Sequence, residues 1–210
     1  MPMSAIATKA KNNHELVYAY QQGDADYNYK DIGPWGNVRN GYCAALTFQW
    51  CEARLKGADL AFDKSTQMGK KADWHVTRLH NLSKSDMLGY DETMKELGLR
   101  RDAGTSIPGA PDAVKLANQA AKATGLYFVQ YKRTGGGHIA AIEVESRWYH
   151  YFDANFGHFI LKDKARFVVW YGGFLTDSGY TTRYTVKSIV TPVHRLTSGS
   201  VADLARRFGG

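Results

Sequence analysis

Three residues, far apart in the chain, have the chemical types for acyl transfer: Cys43, His138 and Asp153. Cys43 sits where a polar, Gly-rich run ending in Gly41-Tyr42 meets the apolar pattern Leu46, Phe48, Trp50, Cys51, Ala53 and Leu55. It therefore falls at the N-terminus of a predicted helix. That end of a helix carries about half a positive charge, which favours thiolate over thiol. Attack on an acyl centre also needs an imidazole to share and return a proton, and an acceptor to hold the imidazole tautomer. His138 follows Gly135-Gly136-Gly137 and opens a predicted strand, while Asp153 ends the next one. With Glu145 opposite Trp148 across a turn at Ser146-Arg147, seven residues back reaches His138 and five forward reaches Asp153. Both then lie at one end of a sheet, close but not directly opposite.

Each member has a plainer reading. A cysteine in an apolar helix is more often a small buried hydrophobe, a His after glycines a solvated loop residue, and an Asp before Ala-Asn-Phe-Gly a turn former. Their joint occurrence outweighs these readings. Cys51, deeper in the same helix, is assigned to the core. His14, His75, His80, His150, His158 and His194 have no comparable setting and are read as surface or packing residues.

The elements that must position the three residues follow from periodicity. Residues 1–15 are small and polar and read as a flexible N-terminal segment. Residues 16–195 form one catalytic domain and 196–210 a C-terminal tail. A helix spans Cys43 to Leu55, with Gly57 as its C-cap. Residues 58–104 are mostly helical in character, with a helix from Ser83 to Leu97, and Ala103 to Pro111 reads as a loop. A helix from Ala113 to Thr124 precedes a run of β-type segments: Leu126–Tyr131, His138–Glu145, Trp148–Asp153 and His158–Leu161. Asp163 caps a helix bearing Phe167, Val168, Trp170, Tyr171 and Phe174, and Thr181 to Val190 is a last strand. Helices first and an antiparallel meander later define an α+β domain.

With 210 residues, 44% of them hydrophobic, and 13 Tyr, 9 Phe and 5 Trp, the chain can bury a substantial core. No apolar run approaches the roughly 20 residues needed to span a bilayer, and the N-terminus lacks a secretory-signal pattern. On a helix rising about 1.5 Å per residue, Cys43 and Cys51 stand roughly 12 Å apart, too far for a disulfide. Both are expected as free thiols, and no Cys/His pairing suggests a zinc site. The net charge of +7 is scattered, with no basic stripe and no nucleic-acid motif, so no nucleic-acid partner is expected. It suits peripheral contact with an anionic membrane or an acidic protein.

Three stretches together resemble the YopT/AvrPphB-like cysteine proteases, papain-like enzymes that bacteria deliver into host cells. They are Gly41-Tyr42-Cys43-Ala44-Ala45-Leu46, Gly137-His138-Ile139-Ala140-Ala141 and Tyr151-Phe152-Asp153-Ala154-Asn155-Phe156-Gly157-His158-Phe159. The likeness runs from about residue 36 to 190, and the Asp153 stretch is its most specific part. It implies a papain-like fold with the Cys-bearing helix packed on an antiparallel sheet. Cys43 is then the nucleophile, His138 the general base and acid, and Asp153 the orienting carboxylate. An upstream amide completes the oxyanion hole, Asn37 by its six-residue separation or Asn40 as the alternative, and Asn155 is a turn residue. The resemblance further implies a host protein as substrate, no cofactor, and translocation into a host cell without a classical signal; otherwise the protein stays cytoplasmic. A peptidoglycan amidase, a deamidase or an acyltransferase would use the same parts, and a non-catalytic module remains the other class.

Overall fold

The computed structural model describes residues 5–19, 42–58 and 86–196. Within them the elements are α1 (Ala5–Asn12), β1 (Leu16–Ala19), α2 (Tyr42–Leu55), α3 (Asp86–Glu96), β2 (Leu99–Arg101), β3 (Thr105–Pro108) and α4 (Ala113–Ala120). There follow β4 (Gly125–Arg133), β5 (Gly136–Val144), β6 (Tyr149–Asp153), β7 (Gly157–Leu161), α5 (Lys164–Asp177), α6 (Tyr180–Arg183) and β8 (Lys187–Arg195). The strands form one antiparallel sheet in the order β1-β7-β6-β5-β4-β8-β2, with β3 also paired to β8. No described helix is long and apolar enough to cross a membrane.

Two apolar layers sandwich this sheet, and the period of two along its strands sorts their residues. Leu126, Phe128, Ile139, Ala141 and Phe152 face α2 and α3, meeting Leu46, Phe48, Trp50 and Met94. Their neighbours Tyr127, Val129, Tyr131, Ala140, Ile142 and Tyr151 pack with Leu116 and Ala117 of α4 and Phe167, Tyr171 and Phe174 of α5. The helix α2 is apolar on nearly all sides because it lies in the interior: residues 44–51 are all buried. Each large side chain there contributes about 1.5–3 kcal/mol on removal from water.

The meander is as expected. Glu145 donates its N–H to the Trp148 carbonyl at 2.9 Å, and Ala141 pairs with Phe152, the register counted from the turn. Asp163 caps α5 by accepting the Arg166 N–H at 2.8 Å.

Several expectations need correction. Residues 5–15 are not loose: α1 buries Ala7 and Ala10, one turn apart, and β1 follows as a strand against β7. Small side chains on a short amphipathic helix gave this segment a polar look. Thr181 to Val190 is not one strand. Tyr180 to Arg183 is helical, placing Tyr180 and Tyr184 four residues apart on the core side, and β8 starts only at Lys187. The Ala103–Pro111 loop contains β3, bonded to β8, and the helix from Ala113 ends at Ala120 rather than Thr124. Leu99–Arg101, within the stretch read as mostly helical, is β2. Residues 59–85 lie outside the described residues, as does the 196–210 tail beyond Leu196.

Candidate active site

The N-terminal turn of α2 sets Cys43, half-buried, at the end of the sheet where β5 begins. α2 is tied to that strand by the Thr47 hydroxyl, which donates to the Ile139 carbonyl at 3.2 Å. His138 and Asp153 project toward the α5 layer, by the same alternation that places Ala140 and Tyr151 there. Because Ala141 pairs with Phe152, His138 and Asp153 are diagonal neighbours, and the side chains cover the offset. The His138 Nε2 meets Asp153 Oδ2 at 3.0 Å, with both residues buried.

This pairing decides the tautomer. A carboxylate only accepts, so Nε2 carries the hydrogen and Nδ1 is left for the thiol. Burial pushes the Cys43 thiol up, but the hydrogen bond and charge of His138, with help from the Ile139 backbone, outweigh it and hold Cys43 below the ordinary thiol range. For His138, burial acts to lower the pKa; the charge and hydrogen bond of Asp153, with Cys43, raise it well above the usual imidazole value. The two shifts have one physical source. Both shifts act toward a thiolate beside an imidazolium, and a thiolate is the reactive form. Cys51 behaves oppositely: burial and then the Glu143 charge push its thiol well above the usual range.

Asp153 is held by four donors. Oδ2 accepts from His138 Nε2, from the Tyr151 hydroxyl at 3.1 Å and from the Tyr180 hydroxyl at 3.1 Å, while Oδ1 accepts the Asn155 N–H at 2.8 Å. Rings of Tyr131, Tyr180 and Tyr184 surround the His138 imidazole, with centroids 6.3, 5.3 and 6.3 Å away. Sequence reading missed these tyrosines. The spacing of Tyr151, two residues before Asp153 on one strand, was the available signal; Tyr180 had none, since it stands just before the segment read as a strand from Thr181.

Asn37 and Asn40, the two candidates for the oxyanion hole, lie outside the described residues, as do His75 and His80. His150 and His158 are packing residues but not inert ones: His150 Nδ1 meets His158 Nε2 at 3.0 Å, both buried. His14 is exposed, and His194 sits at the surface with Asp102 at 2.7 Å. Among the described residues, Glu143, Glu145 and His150 bring ligand-type atoms within 4.8 Å of one another. The Arg54 guanidinium occupies their midst, with Nε 2.5 Å from Glu143 and Nη2 2.9 Å from Glu145, so these groups serve an ion-pair network.

Known structures share this architecture. The chain is similar to the Pseudomonas avirulence protein AvrPphB, with a TM-score of 0.59 at 13% identity, covering 80% of this chain and 99% of that one. It is also similar to PatoxP, a cysteine protease-like domain of the Photorhabdus asymbiotica toxin PaTox. There the TM-score is 0.50 at 11% identity, over 88% of this chain and 57% of that chain. The protein has the fold of a papain-like cysteine protease. The profile of the peptidase family described as Yersinia/Haemophilus virulence surface antigen matches residues 64–191, more than half of the chain, and the chain belongs to that family. The matched span includes His138 and Asp153 and begins after Cys43. No curated protein matches the chain.

Proposed function

We propose that this cysteine protease cleaves a protein of a host cell with Cys43, His138 and Asp153 as its catalytic residues. The observation that carries the reading is the buried His138–Asp153 contact at 3.0 Å, with the same imidazole holding the Cys43 thiol below its ordinary range. The Cys43 thiolate attacks the scissile carbonyl, His138 Nδ1 protonates the leaving amine, and an acyl-enzyme forms. Water, deprotonated by the same imidazole, then attacks the acyl carbonyl, releasing the acid and restoring the Cys43 thiolate beside the His138 imidazolium. The Cys43 N–H at the start of α2 supplies one oxyanion donor, and Asn37, or Asn40 in its place, supplies the second. The family's description as a virulence surface antigen supports action outside the producing cell. The net charge of +7 supports contact with anionic membranes there.

The test pairs a thiol-directed activity probe with a cleavage screen of host-cell proteins. Labelling at Cys43, and its loss together with proteolysis in Cys43→Ala and His138→Ala, is the expected result. Asp153→Asn lowers kcat by roughly 10²–10⁴ through loss of the imidazole tautomer. Labelling of Cys43 with hydrolysis of peptidoglycan fragments and no protein cleavage would move the chain to the amidase reading.

A further inference from the structure

Tyr180 touches both members of the His138–Asp153 pair. Its hydroxyl donates to Asp153 Oδ2, the same oxygen that meets His138 Nε2, and its ring stands edge-on to the His138 imidazole at 5.3 Å and 65°. The Asn155 amide donates to the Tyr180 oxygen at 3.1 Å. A phenol has one hydrogen, and with its oxygen already accepting from Asn155 that hydrogen is directed at the carboxylate. Tyr151 gives Oδ2 a second hydroxyl, and the order continues behind it. Tyr151 donates to Asp153, so it accepts from Tyr131 at 3.1 Å, and Tyr131 in turn accepts from Tyr171. Burial raises all four phenols well above their usual range, so they remain protonated donors.

These donors bear on the chemistry. A carboxylate in a dry site concentrates its charge on a facing imidazolium, and an imidazolium held too firmly gives up its proton slowly. Hydroxyls that share the same oxygen draw on that charge. Resting on the proposed roles of Cys43, His138 and Asp153, we infer that Tyr180, aimed by Asn155, is a positioning residue that holds the Asp153 carboxylate and tempers the charge it presents to His138. Asn155 thereby has a part in the site beyond forming the turn. Among the described residues, the titratable groups facing the His138 ring are Cys43 from α2, Asp153 and Tyr151 from β6, Tyr131 from β4, and Tyr180 and Tyr184 from α6 and its end. Of these, Asp153 and Cys43 carry charge in the reactive state.

The experiment follows the rate of Cys43 alkylation by iodoacetamide against pH in the full chain, with the labelled cysteine identified by peptide mass. The wild type has two steps, for thiol ionisation beside the imidazolium and for loss of the imidazolium proton. Tyr180→Phe keeps the ring and removes the hydroxyl, leaving more of the Asp153 charge on the imidazolium and thiol, and moves both steps up by about 0.5–1 pH unit. Asn155→Ala keeps the backbone N–H on Oδ1, frees the Tyr180 hydroxyl to turn away, and gives a smaller upward shift. A purely structural role for Tyr180 would lower stability and leave both steps in place, and that result overturns the inference while the Cys43–His138 pairing stands. If Tyr180→Phe does not fold, the Asn155→Ala shift decides. A wild-type profile with one step, unchanged in His138→Ala, removes the pairing itself and this inference with it.

Discussion

Trp50 and Phe152 lie in a parallel stack, with ring centroids 5.5 Å apart and planes 8° from parallel. One ring belongs to the helix that carries Cys43 and the other immediately precedes Asp153, so this contact fixes α2 against β6. Trp50 also meets the His158 ring edge-on at 5.2 Å and lies under the Arg54 guanidinium. Trp50→Ala is expected to cost about 3–5 kcal/mol in urea or guanidinium unfolding. Trp50→Phe, which keeps an aromatic face against Phe152, costs less and retains labelling at Cys43.

Adjacent glycines before His138 make a sharper comparison. A Cβ on Gly137 would stand 2.7 Å from the Tyr131 carbonyl oxygen on β4, whereas one on Gly136 would meet nothing nearer than 3.7 Å. Gly137→Ala must push β5 away from β4 one residue before the imidazole. We expect a loss of about 1–3 kcal/mol in stability and a tenfold or greater fall in Cys43 labelling rate, while Gly136→Ala stays close to wild type in labelling. Equal behaviour of the two variants would show that the close approach has no bearing on the site.

Arg54 holds Glu143 and Glu145 with side chains that are 14% exposed for both Arg54 and Glu143. Removing one partner leaves a desolvated charge. Arg54→Met is expected to cost about 3–5 kcal/mol, and adding Glu143→Leu to recover most of it, since a hydrophobic replacement of the pair is often neutral. A double variant no better than the single would show that Glu145 and His150, rather than Glu143, depend on the guanidinium.

Burial, then the neighbouring His150 and Arg54, bring the His158 pKa down to about 2. The folded protein therefore keeps this ring neutral, while the unfolded chain binds a proton below about pH 6.5. Its contribution is complete above that value and declines as pH falls through the window toward 2, by about 1.4 kcal/mol per pH unit. Urea unfolding between about pH 6.5 and 5, above the range where ordinary carboxylates titrate, isolates the effect. His158→Gln should flatten the slope there by one proton's worth, and an unchanged slope would assign it elsewhere.

The candidate site was more legible than its supports. Cys43, His138 and Asp153 each stand at an element end marked by glycines or turn residues, and the Glu145–Trp148 turn allowed the His138–Asp153 offset to be counted. Asp153's partners divide by locality. Tyr151 shares its strand face at a spacing of two, whereas Tyr180 lies on a four-residue helix whose Thr181 and Thr182 mimic a strand. Arg54 and Glu143 are 89 residues apart and carry no local signal of their meeting. The helix α1 was hidden because alanine, which makes its buried face, is as common on a surface as in a core.

The bond between Thr47 and Ile139 joins segments 92 residues apart in the chain. Closing so long a loop carries an entropy cost that must be met before the contact rewards it. Until then Cys43 has no imidazole beside it and no docked helix end, only the sluggish thiol of an unfolded peptide. On the roles proposed for Cys43 and His138, the newly made chain is thus chemically dormant, and the pairing that completes the sheet against α2 is also the step that arms the enzyme.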